Sequence, residues 1–504
     1  MTNEKTEAYL IVSDNCPRIK RNSWFYLSTD YISGRLKELL ATGSRFNSII
    51  FDKIPSNDVL KKLFLVCNPY TVFYTSRIDT DRKSEYADFF FKAKQAKQIS
   101  MINLNKTMKW VERNCYSGQY GSKLDASTIQ LNPHYNGSVE YNGFQSVELS
   151  VSFGENFAPL IAFGWGINGE RGKRIKIWLD YEKVGDIEVR LNVYTQSRGN
   201  TESIKQKVTY NEYQLKRQIE LLDSDLPSNM FNFSIDVKGS GKLIFRALHY
   251  RWSRQELGEF LPGGKRLLDS HRQELFYYFH PGNLKGPLNI YFSGWRQAEG
   301  FEGFHMMSDL GSPFLLFSDT RLEGGCFFRG STELESKVIN VVYDTLQWLN
   351  LTCNDLIVSG LSMGSYAAIY YGSKLHPHSI IVGKPIFNLE HLAKNESKRF
   401  GIFPTSLDIL GAIDGNSNDS HSYWNNFISS SLDDTRIMIA YMQDDDYDST
   451  AYKDILRMNS ESSSPAIITG RGFSGRHNDD TSSVVKWFTQ QFKVILKNDF
   501  KKEF

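Results

Sequence analysis

The stretch "LIVSGLSMGSYAA" at residues 356–368 predicts a strand that turns sharply into a helix. Its centre, "GLSMG" (360–364), fits the pattern G-x-S-x-G, in which the flanking glycines let the backbone turn without a steric collision. Ser362 would then stand at the start of a helix with its hydroxyl exposed. The alternative is an ordinary tight turn that holds a serine. A buried strand before it and a helix of small residues after it favour a nucleophile elbow.

A nucleophilic serine needs a base and a carboxylate, which follow the serine along the chain in α/β-hydrolases. The apolar run "RIMIAYM" (436–442) leads into the acidic loop "QDDDYD" (443–448). Alignment of strand ends favours Asp445 as the carboxylate, with Asp446 and Asp448 as alternatives. His477 lies in a loop before the last predicted helix, where the general base is expected. The alternative for the acidic loop is a solvated turn or a cation site, and the alternative for His477 is an ordinary surface histidine.

An oxyanion hole requires two backbone N–H groups. The first is expected from Met363, the residue after the nucleophile. The second is expected from the segment "YFSGWRQAEGFEG" (291–303), where Gly294 or Trp295 is the candidate donor. The alternative is a turn that contains glycine for geometric reasons only.

Around the elbow, residues 263–504 alternate strand-like and helix-like segments, which predicts a largely parallel sheet covered on both faces. We therefore expect an α/β-hydrolase-like catalytic domain here. The predicted strands include "GPLNIYFSG" (286–294), "SPFLLFSD" (312–319) and "SIIVGKP" (379–385), and the predicted helices include "STELESKVINVVYDTLQWLN" (331–350) and "DDTSSVVKWFTQQFKVIL" (479–496).

Two further regions precede this domain. Residues 125–262 contain short alternating segments such as "KLIFRALHYRW" (242–252), which predict a β-sandwich of the carbohydrate-binding-module type, a candidate glycan-binding domain. Three tryptophans could stack on a sugar, although core positions are favoured for them: Trp165, Trp178 and Trp252. Residues 1–124 mix strands with helices, including "SGRLKELLATG" (33–43), and predict a small α/β region.

Composition excludes several classes of protein. The chain has 504 residues and a formal net charge of +2, which gives no global attraction to nucleic acid. The five cysteines are scattered without a C-x-x-C pair, so neither a disulfide framework nor a zinc site is expected. No apolar run is long enough for a membrane helix, and the N-terminus lacks a signal-peptide pattern. We expect a cytoplasmic protein with no metal and no tightly bound cofactor.

Three segments together resemble one family, and this resemblance is more specific than the elbow motif alone. They are "GLSMGSYAAIYYGSKLHPHSIIVGKPIFNLE" (360–390), "AYMQDDDYDSTAY" (440–452) and "GRHNDD" (475–480). The chain resembles the accessory Sec system proteins of Gram-positive bacteria, specifically the second member of the Asp complex. The resemblance implies that Ser362 is the nucleophile and His477 the base of an O-acetyltransferase acting on N-acetylglucosamine of serine-rich-repeat adhesins.

The same resemblance implies a cellular setting. The partners would be two sister Asp-complex proteins, the glycoprotein substrate and the accessory SecA motor, with attachment at the membrane through the translocase as one option. The acetyl donor stays open, acetyl-CoA being one candidate, because no phosphate-binding glycine loop stands out. Two other functions are kept: a non-enzymatic scaffold or chaperone of the export complex, and a carboxylic ester hydrolase.

Overall fold

The structure is a computed structural model of the full chain. The residues that it describes are 8–14, 21–28, 45–78, 84–143, 145–170, 172–197, 199, 203–221, 229–397, 408–409, 411 and 427–503. The predicted helix at 33–43 lies outside these residues. Packing divides the chain into two units, which are treated one at a time. The first contains Met1–Gln119, Ser253–Gly264 and Phe279–Leu284, and the second contains Tyr120–Trp252, Lys265–Tyr278 and Lys285–Phe504.

The first unit is built on a parallel sheet flanked by helices. Its described strands are Tyr9–Val12 (β1), Trp24–Leu27 (β2), Ser48–Phe51 (β3), Val72–Tyr74 (β4) and Lys97–Gln98 (β5). Its described helices are Asn57–Phe64 (α1), Glu85–Ala93 (α2) and Leu104–Asn114 (α3). The strand order is β2-β1-β3-β4-β5. The alternation of strand and helix predicted for this region is present.

Alternate residues of β1 enter two separate hydrophobic clusters. Leu10 and Val12 belong to one cluster, whereas Tyr9 and Ile11 belong to the other. Because successive side chains of a strand point to opposite faces, both faces of this sheet are covered by apolar side chains.

Residues 253–264 join the first unit although they lie far along the chain. The guanidinium of Arg254, which is buried, donates to the carbonyls of Asn114 (2.8 Å), Tyr116 (2.9 Å) and Phe260 (2.9 Å). A buried cation with this many carbonyl partners fixes the segment in place. The predicted domain boundaries at residues 124 and 262 stay predictions.

The second unit begins with a mainly antiparallel sheet. Its described strands are Gly121–Asp125 (β6), Ile129–Leu131 (β7), Ser138–Asn142 (β8), Ser146–Phe163 (β9), Ile167–Asn168 (β10), Arg174–Ser197 (β11), Gln206–Asn211 (β12), Ile219–Leu221 (β13) and Asn229–Ser253 (β14), with the one-turn helix Glu212–Leu215 (α4). The main order is β12-β11-β14-β9-β7. In the described part of the chain these strands form one hydrogen-bonded sheet, so the two facing sheets of the predicted β-sandwich are not confirmed.

The predicted tryptophans differ in their surroundings. Trp178 is buried, and its Nε1 donates to the carbonyl of Arg272 (3.1 Å). Trp252 is half-buried beside Tyr120. Trp165 is 68% exposed, so the preference for a core position is wrong for this residue.

The rest of the second unit forms a mixed α/β domain. Its described strands are Lys265–Leu268 (β15), Glu274–His280 (β16), Leu288–Phe292 (β17), Phe314–Asp319 (β18), Leu356–Leu361 (β19), Ser379–Gly383 (β20), Arg436–Met442 (β21) and Ile467–Phe473 (β22). Its described helices are Phe304–Ser308 (α5), Thr332–Leu349 (α6), Met363–Leu375 (α7), Leu389–Ser397 (α8), Ala451–Glu461 (α9) and Thr481–Asn498 (α10).

The order of these strands is β15-β16-β18-β17-β19-β20-β21-β22. The first two pair antiparallel, and the strands from β18 to β22 run parallel. This order and direction are those of an α/β-hydrolase sheet, as predicted. Because parallel strands end at one edge, the segments after β17, β19, β21 and β22 meet there.

Among the described residues, no helix is both long enough and apolar enough to cross a membrane.

Candidate active site

Ser362 occupies a strained turn between β19 and α7. Its φ is 53° and its ψ is −120°, a backbone conformation that residues other than glycine rarely adopt. A Cβ on Gly360 would lie 2.1 Å from the carbonyl oxygen of Gly364, and a Cβ on Gly364 would lie 2.1 Å from the carbonyl oxygen of Phe292. Both glycines are therefore required sterically, as expected for a nucleophile elbow.

His477 lies beside the elbow. It sits between β22 and α10, and only 1% of its surface is exposed. Its Nε2 is 2.9 Å from the Oγ of Ser362, and its Nδ1 is 2.8 Å from the Oδ2 of Asp445. A neutral imidazole protonated on Nδ1 can donate to the carboxylate while Nε2 accepts the serine proton. These three residues thus have the spatial arrangement of a serine-hydrolase triad.

Asp445 is held in its ionised form by its neighbours. Its Oδ1 accepts hydrogen bonds from the backbone N–H groups of Tyr447 (2.9 Å) and Asp448 (3.3 Å). Burial alone would raise the pKa of Asp445, but the hydrogen bond and charge of His477 and the two backbone donors together lower this pKa below its usual range.

The other carboxylates of the acidic loop have different contacts. Asp446 Oδ1 accepts from the backbone N–H of His477 (3.1 Å) and so positions its main chain rather than its ring. Asp448 Oδ2 accepts from the backbone N–H groups of Phe387 (2.8 Å) and Asn388 (2.7 Å), beside the start of α8. Of the three candidates, only Asp445 hydrogen-bonds to the imidazole.

The candidate oxyanion donors lie next to the elbow. The N–H of Met363 is at the first position of α7, where a helix leaves its N–H groups unpaired. The N–H of Gly294, however, donates to the Oε2 of Glu302 at 2.7 Å. Because the N–H of Gly294 already has an acceptor, Trp295 is favoured over Gly294 as the second donor to the oxyanion. The indole of Trp295 packs against Gly324 and is 37% exposed.

Three residues around the site were missed by the sequence reasoning. Glu302 contacts Gly294, Tyr447 stacks on His477, and the buried ammonium of Lys384 donates to the Oγ1 of Thr481 (2.5 Å). Burial lowers the pKa of Lys384, and the charges of Asp445 and Asp480 oppose that effect. Glu302 and Tyr447 lie in two segments that the sequence analysis had assigned to the site, so their proximity to it could have been predicted. Their contacts with Gly294 and His477 could not be predicted from the sequence.

One buried cluster elsewhere has residue types that bind metals. Ligand atoms of His249, Glu274 and Glu299 all lie within 4.8 Å of one another. The guanidinium of Arg251 forms ion pairs with both carboxylates, and the Nδ1 of His249 is 2.6 Å from Glu299. Since a cation is already paired with these carboxylates, we assign the cluster to structural ion pairing.

The sheet order, the elbow and the arrangement of Ser362, His477 and Asp445 define a protein of the α/β-hydrolase class. Comparison with known proteins is more specific, since a family model described as "Accessory Sec system GspB-transporter" matches residues 12–502. The chain belongs to this accessory Sec system family.

Curated relatives extend over nearly the whole chain. An accessory Sec system Asp protein of the same family from Streptococcus gordonii is 35% identical over 489 residues, which is 95% of this chain and 94% of the relative. Its counterpart from Staphylococcus aureus (strain NCTC 8325 / PS 47) is 34% identical over 495 residues, covering 94% and 91%. A chain in the solved Glycosylation Associate Protein (Gap123) complex from Streptococcus agalactiae is similar, with a TM-score of 0.88, 33% identity and coverage of 99% of this chain and 100% of that one.

Proposed function

We propose that this protein transfers an acetyl group to N-acetylglucosamine on a serine-rich-repeat glycoprotein adhesin and supports the export of that adhesin. The observation that carries the catalytic part is the 2.9 Å contact between Ser362 Oγ and His477 Nε2. Membership of the accessory Sec family supports the export setting. The acetyl group and the sugar acceptor rest on the sequence resemblance.

In the first half-reaction, His477 Nε2 takes the proton of Ser362 as its Oγ forms a bond to the acetyl carbonyl carbon. The N–H groups of Met363 and Trp295 stabilise the oxyanion of the tetrahedral intermediate. His477 then returns the proton to the leaving group of the donor, whose bond to the carbonyl carbon breaks. Ser362 now carries the acetyl group as an ester.

In the second half-reaction, a sugar hydroxyl gives its proton to His477 and attacks the ester carbonyl. The Ser362 Oγ leaves and recovers the proton from His477, so the enzyme returns to its starting state. Water can follow the same route and release acetate, which is the hydrolase alternative. Transfer predominates when the acceptor hydroxyl is positioned and water is excluded.

The protein is proposed to act in the cytoplasm with two sister Asp-complex proteins and the accessory SecA motor. The similarity to a chain of the Gap123 complex, at a TM-score of 0.88, supports association with sister proteins. Co-purification of the three proteins from one expression strain would test the complex, and recovery of this chain alone would count against it.

The decisive experiment measures acetate bound to adhesin glycans in strains that carry Ser362→Ala or Ser359→Ala. Ser359 is a matched control because it lies on the same strand and its hydroxyl donates to the carbonyl of Ile290 (2.6 Å) instead of His477. We expect glycan acetate to be lost with Ser362→Ala and kept with Ser359→Ala. Unchanged acetylation in the Ser362→Ala strain would overturn the catalytic proposal.

Export of the adhesin is measured in the same strains. Normal export with lost acetylation would mean that acetylation and support of export are two separable functions of the chain. Export that is lost in the Ser362→Ala strain and kept in the Ser359→Ala strain would connect the catalytic site to transport.

A further inference from the structure

The imidazole of His477 has an aromatic ring lying on one face. The rings of Tyr447 and His477 have centroids 4.2 Å apart and planes inclined by only 6°. The two rings are therefore stacked in parallel, one of the geometries that aromatic pairs favour when the rings are offset. What distinguishes this stack from others in the molecule is that one of its rings is the imidazole of the triad.

Tyr447 is held in place through two contacts besides the stack. Its backbone N–H donates to the Oδ1 of Asp445 (2.9 Å), and its hydroxyl accepts a hydrogen bond from the Nδ2 of Asn478 (3.1 Å). Asn478 directly follows His477 in the chain. One residue thus links the carboxylate, the imidazole and the loop that carries the imidazole.

A π-face stacked on an imidazole has two physical consequences. It restricts rotation of the imidazole, which keeps Nδ1 directed at Asp445 and Nε2 at Ser362. It also stabilises a positive charge on the imidazole, because the face of an aromatic ring carries negative electrostatic potential. His477 becomes positively charged in each tetrahedral intermediate of an acyl transfer, so the stack favours that state over the resting one.

We propose that Tyr447 is a positioning residue for His477, which fixes the plane of the imidazole and stabilises its protonated form during acyl transfer. This inference rests on the proposed function of Ser362 and His477. Because the effect belongs to the intermediate, the stack changes kcat and leaves the binding of the donor largely unchanged.

The test measures hydrolysis of p-nitrophenyl acetate by the full-length protein. Tyr447→Leu removes the ring, and Tyr447→Phe keeps the ring but loses the contact with Asn478. A matched control is Tyr452→Leu, since Tyr452 stacks on Tyr441 with a centroid distance of 4.1 Å and an angle of 9°, in a ring pair that includes no triad residue. We expect Tyr447→Leu to lower kcat roughly 2- to 30-fold with KM changed less than about twofold.

The conservative variant Tyr447→Phe should keep most of the kcat that Tyr447→Leu loses. The control Tyr452→Leu should keep the wild-type kcat. Thermal unfolding of each variant checks that the fold is retained. A wild-type kcat for Tyr447→Leu, or an equal loss in Tyr447→Phe, would overturn the inference. Ser362→Ala in the same assay separates the two proposals: its loss of activity beside an unaffected Tyr447→Leu would reject only the positioning role, whereas an active Ser362→Ala would reject both.

Discussion

The Nδ1 of His477 lies 2.8 Å from the Oδ2 of Asp445, and this contact selects one carboxylate from an acidic loop that contains several. Asp445→Asn should lower kcat by about 10⁴-fold, because an amide in this place holds the imidazole in the wrong tautomer. The measurement is the rate of acetyl transfer, or of p-nitrophenyl acetate hydrolysis, at neutral pH.

The neighbouring Asp446 gives the control for that prediction. Its side chain accepts from the backbone N–H of His477 at 3.1 Å, so Asp446→Asn keeps an acceptor and leaves the tautomer unaffected. We expect a loss of less than about tenfold, in line with one weakened hydrogen bond. Equal losses in the two variants would mean that Asp445 is not the orienting carboxylate.

Gly364 should tolerate no side chain. Its Cβ would lie 2.1 Å from the backbone oxygen of Phe292 and 3.0 Å from that of Ser293, and neither can move without shifting β17. Gly364→Ala is expected to lower the free energy of unfolding by roughly 1–3 kcal/mol and to abolish turnover, because the elbow must distort. Urea denaturation and an activity assay check the two effects.

Gly372 lies in the same helix and is a suitable comparison. A Cβ there would meet side-chain atoms of Ile380, at 2.5 Å from its Cδ1 and 3.0 Å from its Cγ1, rather than the backbone of a neighbouring strand. Gly372→Ala should therefore be close to neutral, since relief of the entropic cost of a helical glycine offsets the repacking. If both variants behaved alike, steric confinement of the elbow would not explain Gly364.

The elbow could be predicted from sequence because its determinants are local: a buried strand, two glycines and a helix start within a few positions. The choice of Asp445 could not be settled in the same way. Its orientation depends on the turn formed by its own Oδ1 with the N–H groups of Tyr447 and Asp448. A one-residue change in that turn would bring a different carboxylate to His477.

Contacts between distant segments were also beyond the sequence pattern. Residues 253–262 were predicted to belong to the β-sandwich region, yet Arg254 donates to the carbonyl of Asn114, 140 positions earlier. The arrangement of the antiparallel strands could not be predicted either. Alternation of apolar and polar residues predicts strands but does not tell whether those strands form one sheet or two.

Glu302 should act on the oxyanion side of the site. Its Oε2 accepts from the Gly294 N–H at 2.7 Å. Burial, and after it the charge and hydrogen bond of Glu302, raise the pKa of Tyr291. Glu302→Ala frees the loop that carries Trp295, and we expect kcat to fall by about tenfold with one lost charge-assisted hydrogen bond. Glu302→Gln keeps the acceptor and should stay within about threefold of wild type. Higher activity in Glu302→Ala would show instead that the carboxylate blocks a donor at Gly294.

Buried ion pairing predicts how acid destabilises the protein. Burial alone would raise the pKa of Glu274, but the charges of Arg251, His249 and Arg266 lower it from 4.5 to about 2. A carboxyl whose pKa is lower in the folded state stabilises the fold above the pKa of the unfolded state. This contribution is therefore present at neutral pH and is lost as the pH falls from about 4.5 towards 2.

The variant Glu274→Gln isolates this contribution when its free energy of unfolding is subtracted from that of the wild type at each pH. We expect a difference of roughly 3 kcal/mol at pH 7, since the buried Arg251 loses its ion pair with Glu274 and keeps the one with Glu299. This difference should shrink as the pH falls to about 3. Glu461→Gln is the control: Glu461 pairs with Arg457 on the surface at 3.7 Å, and exposed pairs contribute little. A difference between wild type and Glu274→Gln that stayed constant from pH 7 to pH 3 would mean that Glu274 titrates alike in the folded and unfolded chain, and the ion pair with Arg251 would then not explain acid unfolding.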